Sequence, residues 1–397
     1  MQGHIHKRVR TSATGKAMTT WYVVVELGRT ADGRRRQKWH GGYRTRKEAE
    51  VVRAKLVNEV NTGVYAAPSK MTLGEWLTNS WLPTMRTQIK ASTWDSYDRL
   101  MRLHVIPTLG GRPLHQLTPP MLNNLYVELM ENGNRRGNTA SGLNAKTVRH
   151  VHTTLHKALA DAIDSGLLAA NVAERAKPPR PRVAMSRPEM KFWDPNQLAK
   201  FLVHLEGNRL QAAWHLAAMT GMRRGEVLGL RWQDVDLEAG RLAVRHTLVS
   251  VNYKIKDSTP KTHQARTIDL DELTVEQLRA HKGRQQAEPL AWGPGYQPSD
   301  LVFRREDGSP VHPDLFSQAF EKLLRDSGLP RIRLHDLRHT HATIALRAGV
   351  PVKVISERLG HEDPAFTMKQ YAHVIPGMQA EAATLVAALV AQGRGKT

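Results

Sequence analysis

The segment Pro178-Pro-Arg-Pro-Arg182 sets the first limit on how this chain can fold. Its three prolines lack a backbone N–H and hold φ at about −65°, so neither a helix nor a sheet ladder continues through it. Whatever precedes it ends there, and a chain of 397 residues, long enough for two or three ordinary domains, is divided. Residues 179–190 read as a stiff, basic linker. Arg180 and Arg182 within it are candidate contacts to a phosphate backbone, clasped by the domains on either side.

The charge points to such a partner. Lys plus Arg number 58 against 37 Asp plus Glu, a formal net charge of +21. An excess of that size attracts polyanions and binds nucleic acid by releasing counterions, although ribosomal and membrane-surface proteins share it. Cysteine is absent, which excludes disulfides and thiolate–metal sites and fits a reducing cytoplasm. The N-terminus MQGHIHKRVR has no apolar core of a secretory signal. Nowhere does the sequence approach the roughly 18 uninterrupted apolar residues of a membrane span. These features predict a soluble, cytoplasmic protein with no membrane partner.

Much of the charge lies at one end. Residues Met1 to Lys70 hold fifteen basic side chains and five acidic ones, net +10. Trp21-Tyr-Val-Val-Val-Glu-Leu27 is β-branched and aromatic and reads as a strand. Ala31-Asp-Gly33 turns it, 34–40 returns as a second strand, and Gly41-Gly-Tyr43 begins a third. Thr45 with Glu48 then caps a helix from Arg46 through Val60. A β-ribbon fits a DNA major groove, so Arg34, Arg35, Arg36 and Lys38 are candidate DNA contacts. The bland alternative is a solvated charged face on a stabilising appendage.

Residues about 70–178 read as a helical bundle. Thr72 and Glu75 cap a first helix, Ser92 to His104 is a second, and Thr118 to Met130 is a third with prolines in its first turn. Asn132 to Gly142 is a Gly/Asn/Arg loop, and Lys146 to Ile163 is a fourth helix stopped by Gly166. Lys146 and Arg149 could line DNA or face solvent.

The C-terminal half carries the chemistry. Thr220-Gly-Met-Arg223 breaks one helix before the next begins, which places Arg223 beside helix N-terminal N–H groups that favour an anion. Glu226 is placed to hold a guanidinium. Residues 241–251 read as a strand paired with the segment leading to Leu270, so Lys261 lies near a hairpin from which it can reach a leaving oxygen. His335 and Arg338 share one helix face. His339 and His341 nearby raise a metal site, but no acidic or cysteine ligand has suitable spacing and Arg338 opposes a divalent ion. His361 follows the helix from Val352 to Arg358, and Tyr371 sits on a segment, 365–373, that can swing as a unit. Two arginines, a lysine and two histidines can converge on one phosphate, with the tyrosine as its attacker. Met378 to Val390 reads as an apolar helix, packed in cis or against a neighbouring protomer, and Gly393 to Thr397 as a disordered end.

Arg223 in Gly-x-Arg-x-x-Glu, Lys261 in Lys-Thr, His335-x-x-Arg338, Leu-Gly-His361 and Tyr371 resemble the signature of the tyrosine recombinases, or phage-type integrases. Met222 and His339 fall at positions that the motif leaves free. The resemblance implies a multidomain α+β architecture. Residues 1–66 would be a small β-sheet-plus-helix arm-binding domain and 67–178 a helical core-binding domain. Residues 191–397 would be a mostly α catalytic domain with a small antiparallel sheet and a C-terminal helix. It also implies that Tyr371 attacks a phosphodiester to leave a 3′-phosphotyrosine, while Arg223 and Arg338 hold the non-bridging oxygens. His335 and His361 would add hydrogen bonds, His335 assisting proton transfer, and Lys261 would protonate the leaving 5′-oxygen. No cofactor, metal or ATP is implied. The implied partners are attachment-site DNA, three further copies forming a tetramer that passes through a Holliday junction, a host DNA-bending factor and an excision factor, in the cytoplasm of a bacterial host. A chromosome-dimer or plasmid resolvase and a type IB topoisomerase share this chemistry; a non-catalytic DNA-binding regulator has no need of all six residues.

Overall fold

The computed structural model describes residues 3–11, 17–29, 35–61, 70–134, 141–180, 190–260, 265–361, 363–371 and, save 385 and 389, 383–391. It forms two units, Met1–Met185 and Ser186–Thr397. Lys261, Arg34, Arg182 and the ends of the chain lie outside the described residues, as do 135–140 of the predicted loop and 372–382.

In the first unit, strands β1 (Gly3–Thr11), β2 (Ala17–Arg29) and β3 (Arg35–Tyr43) form one antiparallel sheet with β2 central. This corrects the sequence reading. Gly41 to Tyr43 continues β3, and the third strand is the basic N-terminal segment, whose alternation of Ile5, Lys7 and Val9 with His and Arg is too polar to signal a strand. Gly41 is required where β3 crosses β2, because a Cβ there would lie 1.8 Å from the Tyr22 ring. Helix α1 (Arg46–Asn61) packs Ala49, Val52 and Leu56 on Val23, Val25 and Ile5. Its N-terminus is capped as expected by Thr45, whose hydroxyl accepts from Glu48 N–H at 3.2 Å, but the Glu48 carboxylate accepts from Arg44 N–H.

Four further helices complete this unit. Helix α2 spans residues 73–88 with a π-helical stretch at Trp76–Trp81, and α3 spans 91–109 with another at Met101–Val105. Helices α4 (Pro119–Asn132) and α5 (Ala145–Asp164) follow. The predicted capping box forms: Glu75 accepts from Thr72 N–H at 2.8 Å and returns its own N–H to the Thr72 hydroxyl. Val148, Val151, Leu155, Ala158, Leu159 and Ala162 recur at helical spacing and are buried. Two indoles fix α2 on α5, Trp76 donating to the Ala158 carbonyl at 2.9 Å and Trp81 to the Asp161 carboxylate at 2.7 Å.

The second unit closes around aromatic side chains. Trp214 stacks on Phe316 with centroids 3.8 Å apart, and Trp193, Phe201 and Phe320 surround the pair. Its elements are α6 (Pro195–His204), α7 (Gln211–Thr220), α8 (Arg224–Leu228), β4 (Val235–Asp236), β5 (Arg241–Val244), β6 (Thr247–Val251), β7 (Lys254–Ser258), β8 (Arg266–Asp269), α9 (Glu272–Trp292), α10 (Pro313–Asp326), α11 (Asp336–Arg347), α12 (Val352–Leu359) and α13 (Pro364–Tyr371). The expected strand 241–251 divides: β5 pairs with β4 and β8, whereas β6 turns at Asn252–Tyr253, both at positive φ, and pairs with β7. Beyond α13, residues 383, 384, 386–388, 390 and 391 are helical. Among the described residues no helix is long and apolar enough to cross a membrane.

Leu155 is fully buried at the centre of α5. Leu155→Ala should cost about 2–5 kcal/mol, read as a lower urea midpoint for the loss of helical signal.

Candidate active site

The site is organised by a buried carboxylate. Glu226, on the one-and-a-half-turn helix α8, accepts the backbone N–H of Arg223 at 2.9 Å and its Nη1 at 2.8 Å. On its other side Arg266 of β8 forks onto both oxygens, at 2.6 and 3.2 Å. Burial alone would raise the carboxyl pKa, but the hydrogen bonds and charge of Arg266, with the charge of Arg223, bring it down to about 2. Glu226 therefore holds guanidiniums, as the sequence suggested, and it holds two rather than one. Arg266 was not singled out from sequence. Its signal was there: Arg266 and Ile268 alternate to the same inward side of β8, and an inward arginine needs a buried partner.

Helix ends fix the remaining guanidinium. Arg338 on α11 is almost fully buried and donates Nη1 to the Gly221 carbonyl at 2.8 Å and Nη2 to the Leu359 carbonyl at 2.7 Å. These carbonyls lie where α7 and α12 stop, each at a left-handed glycine, Gly221 and Gly360. A helix C-terminus leaves carbonyls unpaired and carries partial negative charge, so it suits a cation. Arg223 Nη2 likewise donates to the Gly360 carbonyl at 3.2 Å. Both glycines are constrained further: a Cβ at Gly221 would lie 2.6 Å from Leu359, and one at Gly360 2.8 Å from Arg266. Burial, then the neighbouring charge of Arg223, lowers Arg338 to about 9, which leaves it charged at neutral pH.

Histidines line the same place. His335, at the N-cap of α11, edges a cleft of about 340 Å³ with Met222, Arg224, Phe316, Arg333 and Leu334. His361, just past α12, bonds the buried Thr367 hydroxyl through Nδ1 at 2.7 Å. Burial and the charges of Arg338, Arg223 and Arg266 depress His361 to about 4, so its ring is neutral at pH 7. Tyr371, last residue of α13, is 1% exposed and packs with Leu346, Ile355 and Leu359. Its hydroxyl meets His339 Nδ1 at 2.8 Å. Burial raises the phenol to about 12 against the opposing pull of Arg338, and burial together with His335 lowers His339 to about 4.

The structure thus brings Arg223, Glu226, His335, Arg338, His361 and Tyr371 together in one unit and adds Arg266, His339 and Thr367. His339 had a legible signal, since His335, Arg338 and His339 occupy one face of α11 at i, i+3 and i+4. The candidate DNA contacts lie in the other unit. Lys146 and Arg149 are exposed on α5, and Arg180 is exposed beyond it. Arg35 and Arg36 begin β3. Lys38 pairs with Val25 and so lies on the sheet side that carries α1, whereas the opposite side presents the Trp39 ring in contact with those of His6 and Tyr22. Among the described residues no group of three or more His, Cys, Asp or Glu is arranged to hold a metal ion.

Comparison with known proteins places this architecture. Residues 191–377 match the phage integrase family, 72–130 the SAM-like N-terminal domain of phage integrases, and 9–60 an arm DNA-binding domain. The chain belongs to the phage integrase family of tyrosine recombinases, site-specific recombination enzymes. It is 29% identical over 379 residues to the XerC-like tyrosine recombinase of Caldanaerobacter subterraneus, covering 91% of this chain and 94% of the relative. With the ICEBs1 integrase of Bacillus subtilis it shares 27% identity over 342 residues, 85% of this chain and 89% of that protein. The fold is similar to that of the Tn1549 transposon integrase solved in complex with transposon right end DNA, with a TM-score of 0.65 at 21% identity, over 80% of this chain and 100% of that one. A lambda integrase tetramer solved on a Holliday junction aligns with a TM-score of 0.54 at 18% identity, over 90% and 96%.

Removing one partner from a buried ion pair leaves the others uncompensated, at a cost of about 3–5 kcal/mol. Glu226→Ala should lower stability by that order in urea titration. Because the folded pKa lies below the unfolded one, the contribution is complete above about pH 4.5 and fades as pH falls toward 2. The stability gap between wild type and variant should close over that window.

Proposed function

We propose that this chain is the integrase of a phage or other mobile element, inserting it and, with an excision factor, releasing it. The observation that carries the reading is the meeting of Arg223, Arg338, His335 and His361 around the burial place of Tyr371, on a chain that also has a basic sheet domain at its N-terminus. A protein that only bound DNA would not need a phenol beside a cage of guanidiniums.

The chemistry follows from these groups. Guanidiniums held by Glu226 and by helix-end carbonyls bind the non-bridging oxygens and stabilise the charge that builds as a fifth oxygen approaches phosphorus. The Tyr371 oxygen forms the new bond, the 5′-oxygen leaves with a proton from Lys261, and a 3′-phosphotyrosine remains. That ester keeps the bond energy, so a 5′-hydroxyl of a second duplex can reverse the step without ATP. Four protomers on two duplexes exchange one strand pair, pass through a Holliday junction and exchange the other. Residues 1–66 serve arm-type sites, 67–178 the core site with Lys146 and Arg149 toward DNA, 179–190 link the domains with Arg180 and Arg182 along the backbone, and 191–397 cleave. Arg34, Arg35, Arg36 and Lys38 add charge to the arm domain. A host bending factor brings arm and core sites together in the bacterial cytoplasm.

The test is to isolate covalent protein–DNA complexes, without crosslinker, from cells carrying the element, and to sequence the attached DNA. Adducts are expected at one element–chromosome junction and should vanish in Tyr371→Phe, which should retain DNA binding. Adducts at a chromosome terminus or plasmid site would shift the reading to a resolvase, and adducts surviving in Tyr371→Phe would move the nucleophile. Deleting residues 1–66 should weaken binding to accessory sites more than cleavage at the crossover site, measured by footprinting and adduct yield.

A further inference from the structure

The recombinase signature leaves His339 unassigned and gives proton transfer at the tyrosine to His335. The geometry divides these roles differently. We infer that His339, and not His335, takes the proton from the Tyr371 hydroxyl as that oxygen attacks the scissile phosphate. The inference rests on the recombinase reading above and adds a residue to it.

Three observations support the assignment. First, the Tyr371 oxygen lies 2.8 Å from His339 Nδ1, within the reach a general base requires. Among the described residues no hydrogen bond joins Tyr371 to His335, whose ring instead meets the edge of His339 with centroids 5.2 Å apart. Second, His335 lines the cleft with Arg224 and Arg333, where a phosphate oxygen can reach it, whereas Tyr371 is covered by Leu346, Ile355 and Leu359. A ring open to the cleft suits a hydrogen bond to phosphate, and one turned to the phenol suits the phenol's proton. Third, the surroundings of His339 provide a counter-charge. His335, Arg338 and Arg333 face it as actual or potential cations, His361 does so from beyond α12, and the buried Asp336 carboxylate, one turn earlier on α11, opposes them. Asp336 is itself held by Arg333, Nη2 to Oδ1 at 2.8 Å, so its position is fixed.

In the resting state the phenol donates to Nδ1 and the imidazole proton sits on Nε2. On attack the Tyr371 oxygen bonds to phosphorus, its proton passes to Nδ1, and the imidazolium that results is opposed by Asp336. The P–O5′ bond breaks and the departing oxygen takes its proton from Lys261. When a 5′-hydroxyl later attacks the phosphotyrosine, its proton passes to Lys261, the tyrosine leaves and His339 returns the proton to it. No further reactant is needed.

The experiment uses the full chain and a suicide duplex carrying the crossover sequence recovered from the covalent complexes. His339→Ala should slow single-turnover phosphotyrosine formation by about 10²–10⁴-fold with duplex affinity unchanged. Two readouts separate proton transfer from packing. Replacing the scissile 5′-oxygen with sulfur, which departs without a proton, should restore Lys261→Ala and leave His339→Ala slow. A fluorinated, more acidic tyrosine at position 371 should restore much of the rate lost in His339→Ala. His339→Gln tests positioning, since its amide can hold the phenol and cannot take its proton; it should be as slow as His339→Ala. Wild-type rates in His339→Gln, or cleavage by His339→Ala within about threefold of wild type, would overturn the assignment, and rescue of His335→Ala alone by the fluorinated tyrosine would return the role to His335. If wild type itself forms no adduct, the recombinase reading falls and this inference with it.

Discussion

The active-site half of the molecule depends on the burial of Glu226 between two guanidiniums. Three arginines, Arg223, Arg266 and Arg338, crowd one small volume, and burial, then repulsion from Arg223 and Arg266, lowers the pKa of Arg338. A single carboxylate with almost no exposure offsets part of that charge and leaves an excess. The excess is what a phosphodiester would neutralise. A buried ion pair is weak evidence for stability, because desolvation consumes most of the Coulomb gain. Here its value lies in geometry: it fixes where two guanidiniums stand before any substrate arrives.

Helix ends extend the same logic. Arg338 has five N–H donors and, among the described residues, gives two of them to the Gly221 and Leu359 carbonyls. Carbonyls that would otherwise go unpaired at the ends of α7 and α12 become fixed acceptors. The left-handed glycines that end those helices therefore do two things at once: they stop the helix and bring its last carbonyls against a cation. Donors already held in place need no reorganisation as charge develops, the condition under which electrostatic stabilisation is strongest.

Features set by near neighbours in sequence were legible. Thr72 with Glu75, the break at Gly221, the His335/Arg338 face and the stop at Gly166 are all decided within a few residues, and the structure has each of them. What was missed depends on distant partners. Arg266 is defined by a carboxylate 40 residues away and His339 by a phenol 32 residues away, so the strand alternation and helix face that mark them locally do not name their partners. The division of 241–251 between two sheets is a tertiary decision as well, because β5 pairs with β8 across an intervening β6–β7 hairpin that is paired with itself. The strand Gly3–Thr11 was hidden for another reason. It covers little core, so its polar alternation resembles a charged tail.

The combination of a phenol raised to about 12 and an imidazole lowered to about 4 has a consequence for timing. In the free protein the proton belongs firmly to the tyrosine, which is both buried and neutral. Depression of His339 comes from burial and from surrounding positive charge, including His335 and Arg338. A phosphodiester bound among the guanidiniums would cancel part of that charge, and so raise the proton affinity of His339 when the phenol must lose its proton. In the proposed attack, bond formation to phosphorus would remove the other obstacle, since the tyrosine oxygen would never have to persist as a free anion. The same charges that bind the substrate would thus keep the tyrosine inert until the substrate is in place, an economy available to a site that activates its nucleophile through a neutral histidine among arginines.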